Sequence, residues 1–414
     1  MAESPPVALY VHFPFCVSHC PYCDFVVVAG RAARGPANRI AAFVEALEAE
    51  LHLRADALDA RSGGPGSRPP LASLYLGGGT PSLLPAATIG RLIALVRARY
   101  GLATDAEVTL EVNPGPDERG DAREHRAAGV TRLSIGAQSF DPAELRLLGR
   151  RHTPEDVIAT VAAGRAAGIP SISLDLLYDI PGASLATWAK TLDAALAHEP
   201  DHLSLYALTL DDPDLEGLTG SGGDHLPVLA GARRWRERAR PRQDEDRAAA
   251  MYELADQRLA EAGFSWYEIS NWARPGHRSR HNLAYWQRLP YEALGPGAHA
   301  FDGVNRRWNA ARLDRYVAAL APGDGARASL PPGGSEPADG PLGAFEAAML
   351  ALRTADGFAT TSLDAATWAG IERQLAEPIA AGLVDRRPDG RLALTLRGRL
   401  LSNEVFRRLL PVSG

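Results

Sequence analysis

The chain has 414 residues, 46% of them hydrophobic and 23% charged, and a formal net charge of −6. That is room for one large globular domain and a smaller one, and the composition excludes a disordered or fibrous chain. The acidic balance argues against general nucleic-acid binding, MAESPPVALY lacks the basic start and apolar core of a secretory signal, and no apolar run approaches the length of a membrane span.

The first strand is predicted over residues 7–13. It runs into Cys16-Val-Ser-His-Cys20-Pro-Tyr-Cys23, which holds all three cysteines of the chain. Apolar residues at three- and four-residue spacing predict helices over 40–56, 89–100, 154–167 and 185–198, with Gly101 and Gly168 as stops. Between them, short apolar runs predict strands over 73–76, 108–112, 132–135, 172–177 and 203–208. The alternation predicts an α/β fold, a partial (β/α)6 TIM-like barrel with its site at the C-terminal strand ends. Residues 61–70 (RSGGPGSRPP) read as a surface loop. Residues 233–242 (RRWRERARPR) hold six arginines, and Asp244, Glu245 and Asp246 follow. They read as a solvated helix or loop balanced by those acids, or as a docking patch for an acidic partner or a propionate-bearing ligand. Residues 322–341, rich in Pro and Gly, read as a linker. Beyond it, 342–414 reads as a small helix-rich, winged-helix-like domain with a turn at Asp389-Gly390 before a short strand. The expected division is therefore 1–321, 322–341 and 342–414.

Three cysteines cannot all pair as disulfides, and thiolates this close together point to a metal centre in a reducing compartment, with cytoplasm the default. Structural zinc wants four ligands, and a second cysteine pair is missing. His12 or His19 could complete a Cys3His site, so zinc stays open, as do unligated core cysteines. The spacing fits an iron–sulfur cluster better. Three thiolates on a [4Fe-4S] cluster leave one iron open. The Gly77-Gly78-Gly79-Thr80-Pro81 turn lacks the Lys-Ser/Thr of a P-loop, so it is a ligand cradle or simply a tight turn. Glu111, Gln138, Arg150 and Asp175 sit at or just beyond later strand ends. A carboxylate there needs a partner, either a ligand or a structural ion pair.

YVHFPFCVSHCPYCDF, GGGTPS, EVNP, SIGAQSF, GRRH and DLLYDIPG occur in that order. Together they resemble the coproporphyrinogen III oxidase-like branch of the radical S-adenosylmethionine (SAM) proteins, over nearly the whole chain. The resemblance implies that Cys16, Cys20 and Cys23 hold a [4Fe-4S] cluster whose fourth iron takes SAM. It implies SAM contacts from Tyr10, Gly78, Gly79, Thr80, Glu111, Gln138, Arg150 and Asp175. The oxygen-independent oxidases of this branch carry a fourth cysteine two positions after the third, where this chain has Phe25, and a longer N-terminal extension. The HemW-type haem chaperones match better. They share the CDF ending, a YEISN segment (267–271), the H-N-x-x-Y-W motif at His281-Asn282-Leu283-Ala284-Tyr285-Trp286 and a glycine-rich turn, Leu294–His299. Residues 213–243 match that family poorly.

By itself the H-N-x-x-Y-W motif reads as a histidine hydrogen-bonded in a polar junction with two core aromatics. The resemblance implies instead that His281 ligates haem, with His299 a weaker candidate. It implies a chaperone that binds haem or a porphyrin and passes it to a respiratory protein, meeting a membrane only through that client. It names no electron donor and leaves SAM cleavage open, so no catalytic residue is assigned. The alternatives are radical decarboxylation of coproporphyrinogen and a zinc-stabilised binding protein.

Overall fold

Along the parallel strands one face is aliphatic and the other polar, and this alternation organises the molecule. The computed structural model describes residues 4–30, 38–220, 222–321, 327–338, 341–360 and 363–409. In chain order the strands are β1 (Ala8–Phe13), β2 (Phe15–Cys16), β3 (Val28–Ala29), β4 (Leu71–Gly78), β5 (Leu102–Val112), β6 (Arg132–Gln138), β7 (Ser171–Tyr178), β8 (His202–Ala207), β9 (Ser265–Glu268), β10 (Asn271–Ala273), β11 (Tyr291–Leu294), β12 (His299–Phe301), β13 (Asn305–Asn309), β14 (Gly333–Pro337), β15 (Val384–Arg386) and β16 (Leu392–Leu394). Twelve of them form one sheet, ordered β14-β13-β12-β11-β1-β4-β5-β6-β7-β8-β10-β9.

The six predicted strands are β1, β4, β5, β6, β7 and β8, and each pairs in parallel with the next. Parallel register puts side chains of like face in rows. One row face carries Leu9, Val11, Leu74, Leu76, Val108, Leu110, Leu133, Ile135, Ile172, Leu174, Leu203 and Leu205, all buried against the helices in a single core with Phe43, Leu47, Ile89, Val157 and Leu192. Each such side chain contributes about 1.5–3 kcal/mol by leaving water. The other face carries Tyr75, Glu111, Arg132, Ser134, Asp175, His202 and Ser204 along the registers just described. A parallel sheet covered by helices on both faces reads as continuous apolar runs. Here every second residue is polar because that face lines a cavity. The sheet does not close: its two ends are β14 and β9, giving a partial barrel.

The strands beyond the predicted six extend the sheet. β11 adds a parallel strand beside β1, and β12, β13 and β14 follow it in antiparallel pairing. At the opposite end β10 and β9 pair antiparallel after β8. β14 lies within the segment 322–341 that was expected to be a linker: Gly333 to Pro337 pair with Asn309 to Asn305. The glycines there are a steric requirement, because a Cβ on Gly333 would overlap the Trp308 carbonyl oxygen and one on Gly334 its indole. Residues 322–326 and 339–340 of that segment lie outside the described residues.

The C-terminal helices Pro341–Leu352, Ala365–Ala380 and Ser402–Leu409 enclose a core of their own with the β15/β16 hairpin, through Leu352, Ile371, Leu375, Leu392 and Val405. This unit rests on the barrel end. The Ala355 N–H donates to the Tyr267 carbonyl at 2.8 Å, and Arg399 grips Asp256 through two hydrogen bonds of 2.9 and 2.8 Å.

Candidate functional site

The cysteine loop leaves β1 at the C-terminal edge of the sheet and is pinned at both ends. β2 and β3 pair across it, Phe15 with Val28 and Cys16 with Ala29. Inside the loop the Cys23 N–H donates to the Cys20 carbonyl at 3.1 Å. The three cysteines form no disulfide and are partly buried. Thr80 Oγ1 donates to Cys16 Sγ at 3.4 Å, and Arg150 Nη1 approaches Cys20 Sγ at 3.7 Å. Burial pushes the Cys16 thiol up to about 11 and also raises Cys23. Thiolates here therefore need a metal to displace their protons.

A cavity of about 1270 Å³ opens beside the loop and touches all three cysteines together with Gly78, Gly79, Glu111, Gln138, Arg150 and Asp175. Most of the residues expected to contact SAM thus converge on one space. Thr80 joins them through its hydroxyl to Cys16. Tyr10 does not: its hydroxyl donates to His12 Nδ1 at 3.0 Å, and it lines a second, smaller cavity. Its position on the polar face is right, but the Tyr75 ring, 6.0 Å from it between centroids, stands on the main cavity wall in its place.

Among the described residues neither carboxylate has an arginine at ion-pair distance, though the Arg132 charge acts on Asp175, and both are held by neutral donors. Glu111 accepts from Tyr75 Oη at 2.9 Å and from the Gly78 N–H at 2.8 Å. Burial nevertheless pushes its pKa up to about 7. Asp175 accepts from Ser134 Oγ at 2.8 Å and from Ser173 Oγ at 3.3 Å, and burial raises it too. Gln138 sits at an irregularity between β6 and β7 with φ of +65°, an uncommon conformation for a non-glycine residue that persists only when its surroundings hold it.

Arg150 Nη2 donates to Asn113 Oδ1 at 2.6 Å and to the Gly136 carbonyl at 2.9 Å, while its buried Nε has no hydrogen-bond partner among the described residues. Asn113 Nδ2 donates in turn to Thr80 Oγ1 at 2.8 Å. Asn113 therefore ties Arg150 to the hydroxyl beside Cys16. The EVNP segment contains it, but nothing in the sequence singles out the asparagine rather than the glutamate. Arg236 was equally hidden inside the basic run. It is buried, neither solvated nor a docking residue, and it donates to the Pro21 and Cys23 carbonyls at 3.1 Å each and to Asp24 at 2.6 Å. It is the clamp on the cysteine loop.

The site fits a cluster with a small organic ligand. Gly79 packs so tightly that a Cβ would lie 2.6 Å from the Phe15 carbonyl oxygen. Arg150, whose Nε has no hydrogen-bond partner among the described residues, lines the same cavity. Zinc fits less well. His12 spends Nε2 on the Val26 carbonyl at 2.7 Å and Nδ1 on Tyr10.

His281, the residue expected to ligate haem, lies in a buried polar junction. His281 is 1% exposed. Nδ1 meets Ser73 Oγ at 3.0 Å and Nε2 meets Tyr285 Oη at 2.7 Å. Burial lowers its pKa to about 3, and the ring is neutral. Trp286 of the same motif lies under the Arg353 guanidinium, 4.6 Å from the ring centroid, and so joins the C-terminal unit to the barrel.

Comparisons with known proteins agree with this geometry. A family model for the radical SAM superfamily matches residues 10–195. The heme chaperone HemW of Mycobacterium tuberculosis (strain H37Rv) is 39% identical over 406 residues, 98% of this chain and 95% of that protein. The chain belongs to the HemW family of radical SAM proteins. Heme chaperone HemW of Escherichia coli (strain K12), another HemW, is 36% identical over 72% of this chain and 71% of its own length. The coproporphyrinogen III oxidase HemN of Escherichia coli superposes with a TM-score of 0.77 at 24% identity, covering 98% of this chain and 90% of its own. That likeness shows the shared α/β radical SAM fold. Membership of the radical SAM superfamily implies a [4Fe-4S] cluster and SAM.

Proposed function

We propose that the chain is a haem chaperone that binds haem and delivers it to respiratory apoproteins in the cytoplasm or at a membrane where the client resides. In this reading Cys16, Cys20 and Cys23 hold the [4Fe-4S] cluster. Gly78, Gly79, Thr80, Glu111, Gln138, Arg150 and Asp175 bind SAM beside it. When bound, the cluster and SAM supply an electron donor and a cleavable sulfonium. The residues themselves bind and orient. Arg150 offers a guanidinium to a carboxylate, Glu111 and Asp175 accept from hydroxyl or ammonium groups, and the glycine turn lets backbone come close.

The observation that carries the reading is the end-to-end likeness to HemW, with Phe25 at the position where the oxidases have a fourth cysteine. The test is one anaerobically reconstituted sample, assayed for iron, haem uptake and coproporphyrinogen turnover. The expected result is about four irons per chain, stoichiometric haem binding and no decarboxylation. Turnover of coproporphyrinogen with reductant and SAM, or failure to take up haem, overturns the proposal.

A further inference from the structure

The cysteine loop is bordered by arginines that no acid among the described residues pairs, in a chain whose net charge is −6. Arg236 reaches from the helix Ala230–Ala239 to the Pro21 and Cys23 carbonyls and to Asp24. Arg234 and Arg238 stand two positions to either side of it, so they occupy the opposite face of that helix. Both are exposed, and no hydrogen bond or ion pair among the described residues engages either side chain. Being four positions apart they repel each other, and Glu237 is the one acid of the helix. Arg233 spends its charge on Asp212 and Asp214.

The basic border continues past this helix. Trp235 Nε1 donates to the Leu147 carbonyl at 3.1 Å, which seats the helix on its neighbour Pro142–Leu147. That neighbour carries Arg146, exposed and likewise unpaired among the described residues. Just beyond it Gly149 lies against Pro21 of the loop. Arg151 is exposed next to Arg150, whose Nη1 approaches Cys20 Sγ. Phe25, two residues past Cys23, is 64% exposed. An uncovered aromatic and unpaired cations bordering one loop have the make-up of a protein-docking face, apolar at the centre and charged at the rim.

Charge and place together select the occupant. A positive patch on a net-negative chain attracts a compact anionic surface, while the rest of the molecule repels an extended polyanion or an anionic membrane. A helix is about 10–12 Å thick, so a protein seated on the outer arginines is separated from the cysteine loop by little more than that thickness. We propose that this face docks a small acidic one-electron carrier protein that refills the cluster held by Cys16, Cys20 and Cys23. The carrier gives up one electron and the cluster takes it up, with no bond made or broken. The assignment rests on the cysteines holding a cluster and is independent of the haem reading.

The test is calorimetric titration of the full-length, cluster-loaded chain with an acidic flavodoxin and with an acidic ferredoxin, at about 50 mM and about 200 mM salt. Wild type should bind at least one of them, more weakly at the higher salt. Arg234→Glu with Arg238→Glu should weaken that binding about ten-fold or more and flatten its salt dependence. Arg97→Glu with Arg373→Glu makes the same change of net charge at exposed arginines on other helices, and should bind within about two-fold of wild type. Stopped-flow reduction of the cluster by the carrier should slow in the first variant alone, while reduction by dithionite stays equal in all three, which separates lost docking from a damaged cluster. Wild-type binding by the first variant, equal weakening in both variants, or binding of anionic vesicles in place of either carrier would overturn the docking face and leave the cluster and haem readings standing. A chain that loads no iron would overturn the cluster reading and this face together.

Discussion

Glu111 shows how much of a residue's role lies in its surroundings. Its carboxyl is pushed up to about 7, mainly by burial, against an ordinary value of 4.5. The folded chain therefore holds a proton that the unfolded chain releases between those two pH values, and stability falls as pH rises through that window. In the ligand-free chain Glu111→Gln should remove this loss, with a gain of up to about 3 kcal/mol at pH 8 and little change at pH 4. Thermal unfolding of wild type and variant at both pH values checks it. A parallel pH dependence in the two proteins would refute the assignment. The carboxylates of the site were legible as candidates because acidic residues on buried strands are costly. Their partners were not legible. Tyr75, Ser134 and Ser173 are neutral donors brought in by strand register, and no local pattern announces them. His281 makes the same point. Its motif suggested a ligand but not its neighbours: Ser73, which meets its Nδ1, is 208 positions away.

At the scale of elements, two devices shape the cysteine loop. The first is the glycine turn after β4. A methyl on Gly79 would press on the Phe13 and Phe15 carbonyl oxygens, 2.8 and 2.6 Å from the added carbon. Backbone cannot swing aside as a side chain can. Gly79→Ala should therefore cost about 1–3 kcal/mol and lower iron retention after anaerobic reconstitution. Full iron content at unchanged stability would show that the approach is not needed. The second device is the helix Ala230–Ala239, which presents Arg236 to the loop. Arg236→Ala strands the Pro21 and Cys23 carbonyls and Asp24, a loss of about 1–3 kcal/mol. It should hasten loss of the cluster absorbance, while the exposed neighbour Arg234→Ala should not. Equal decay in the two variants would rule out the clamp. The predicted helices and strands were legible because their periodicity is long. The edge strands β9 to β14 were not, being three to five residues each and partly polar or glycine-rich.

The whole molecule depends on a C-terminal unit seated on the barrel end. Arg399 joins them. It bonds Asp256 twice and lies over the Trp266 ring, 4.4 Å from its centroid. Arg399→Ala should loosen the seat by about 1–3 kcal/mol, and hydrogen exchange should rise in the helices Leu396–Leu400 and Ser402–Leu409 while β4 to β7 stay protected. Uniform exchange across the chain would argue that the two units melt as one. The main cavity also draws Arg353, Ser402 and Arg407 from this unit, so loosening the seat should widen the cavity as well.

The amino-acid sequence alone determined the three-cysteine loop, the six-strand alternation and the family, because these rest on local spacing and period. Tertiary structure alone decided which polar residues share a cavity, that Tyr10 and His281 stand outside it, and that Asn113 and Arg236 support it. Those outcomes depend on strand register and on contacts between residues far apart in the chain. A buried donor or acceptor goes to whichever partner the fold brings within about 3 Å, and nothing in its immediate neighbours states which one that is.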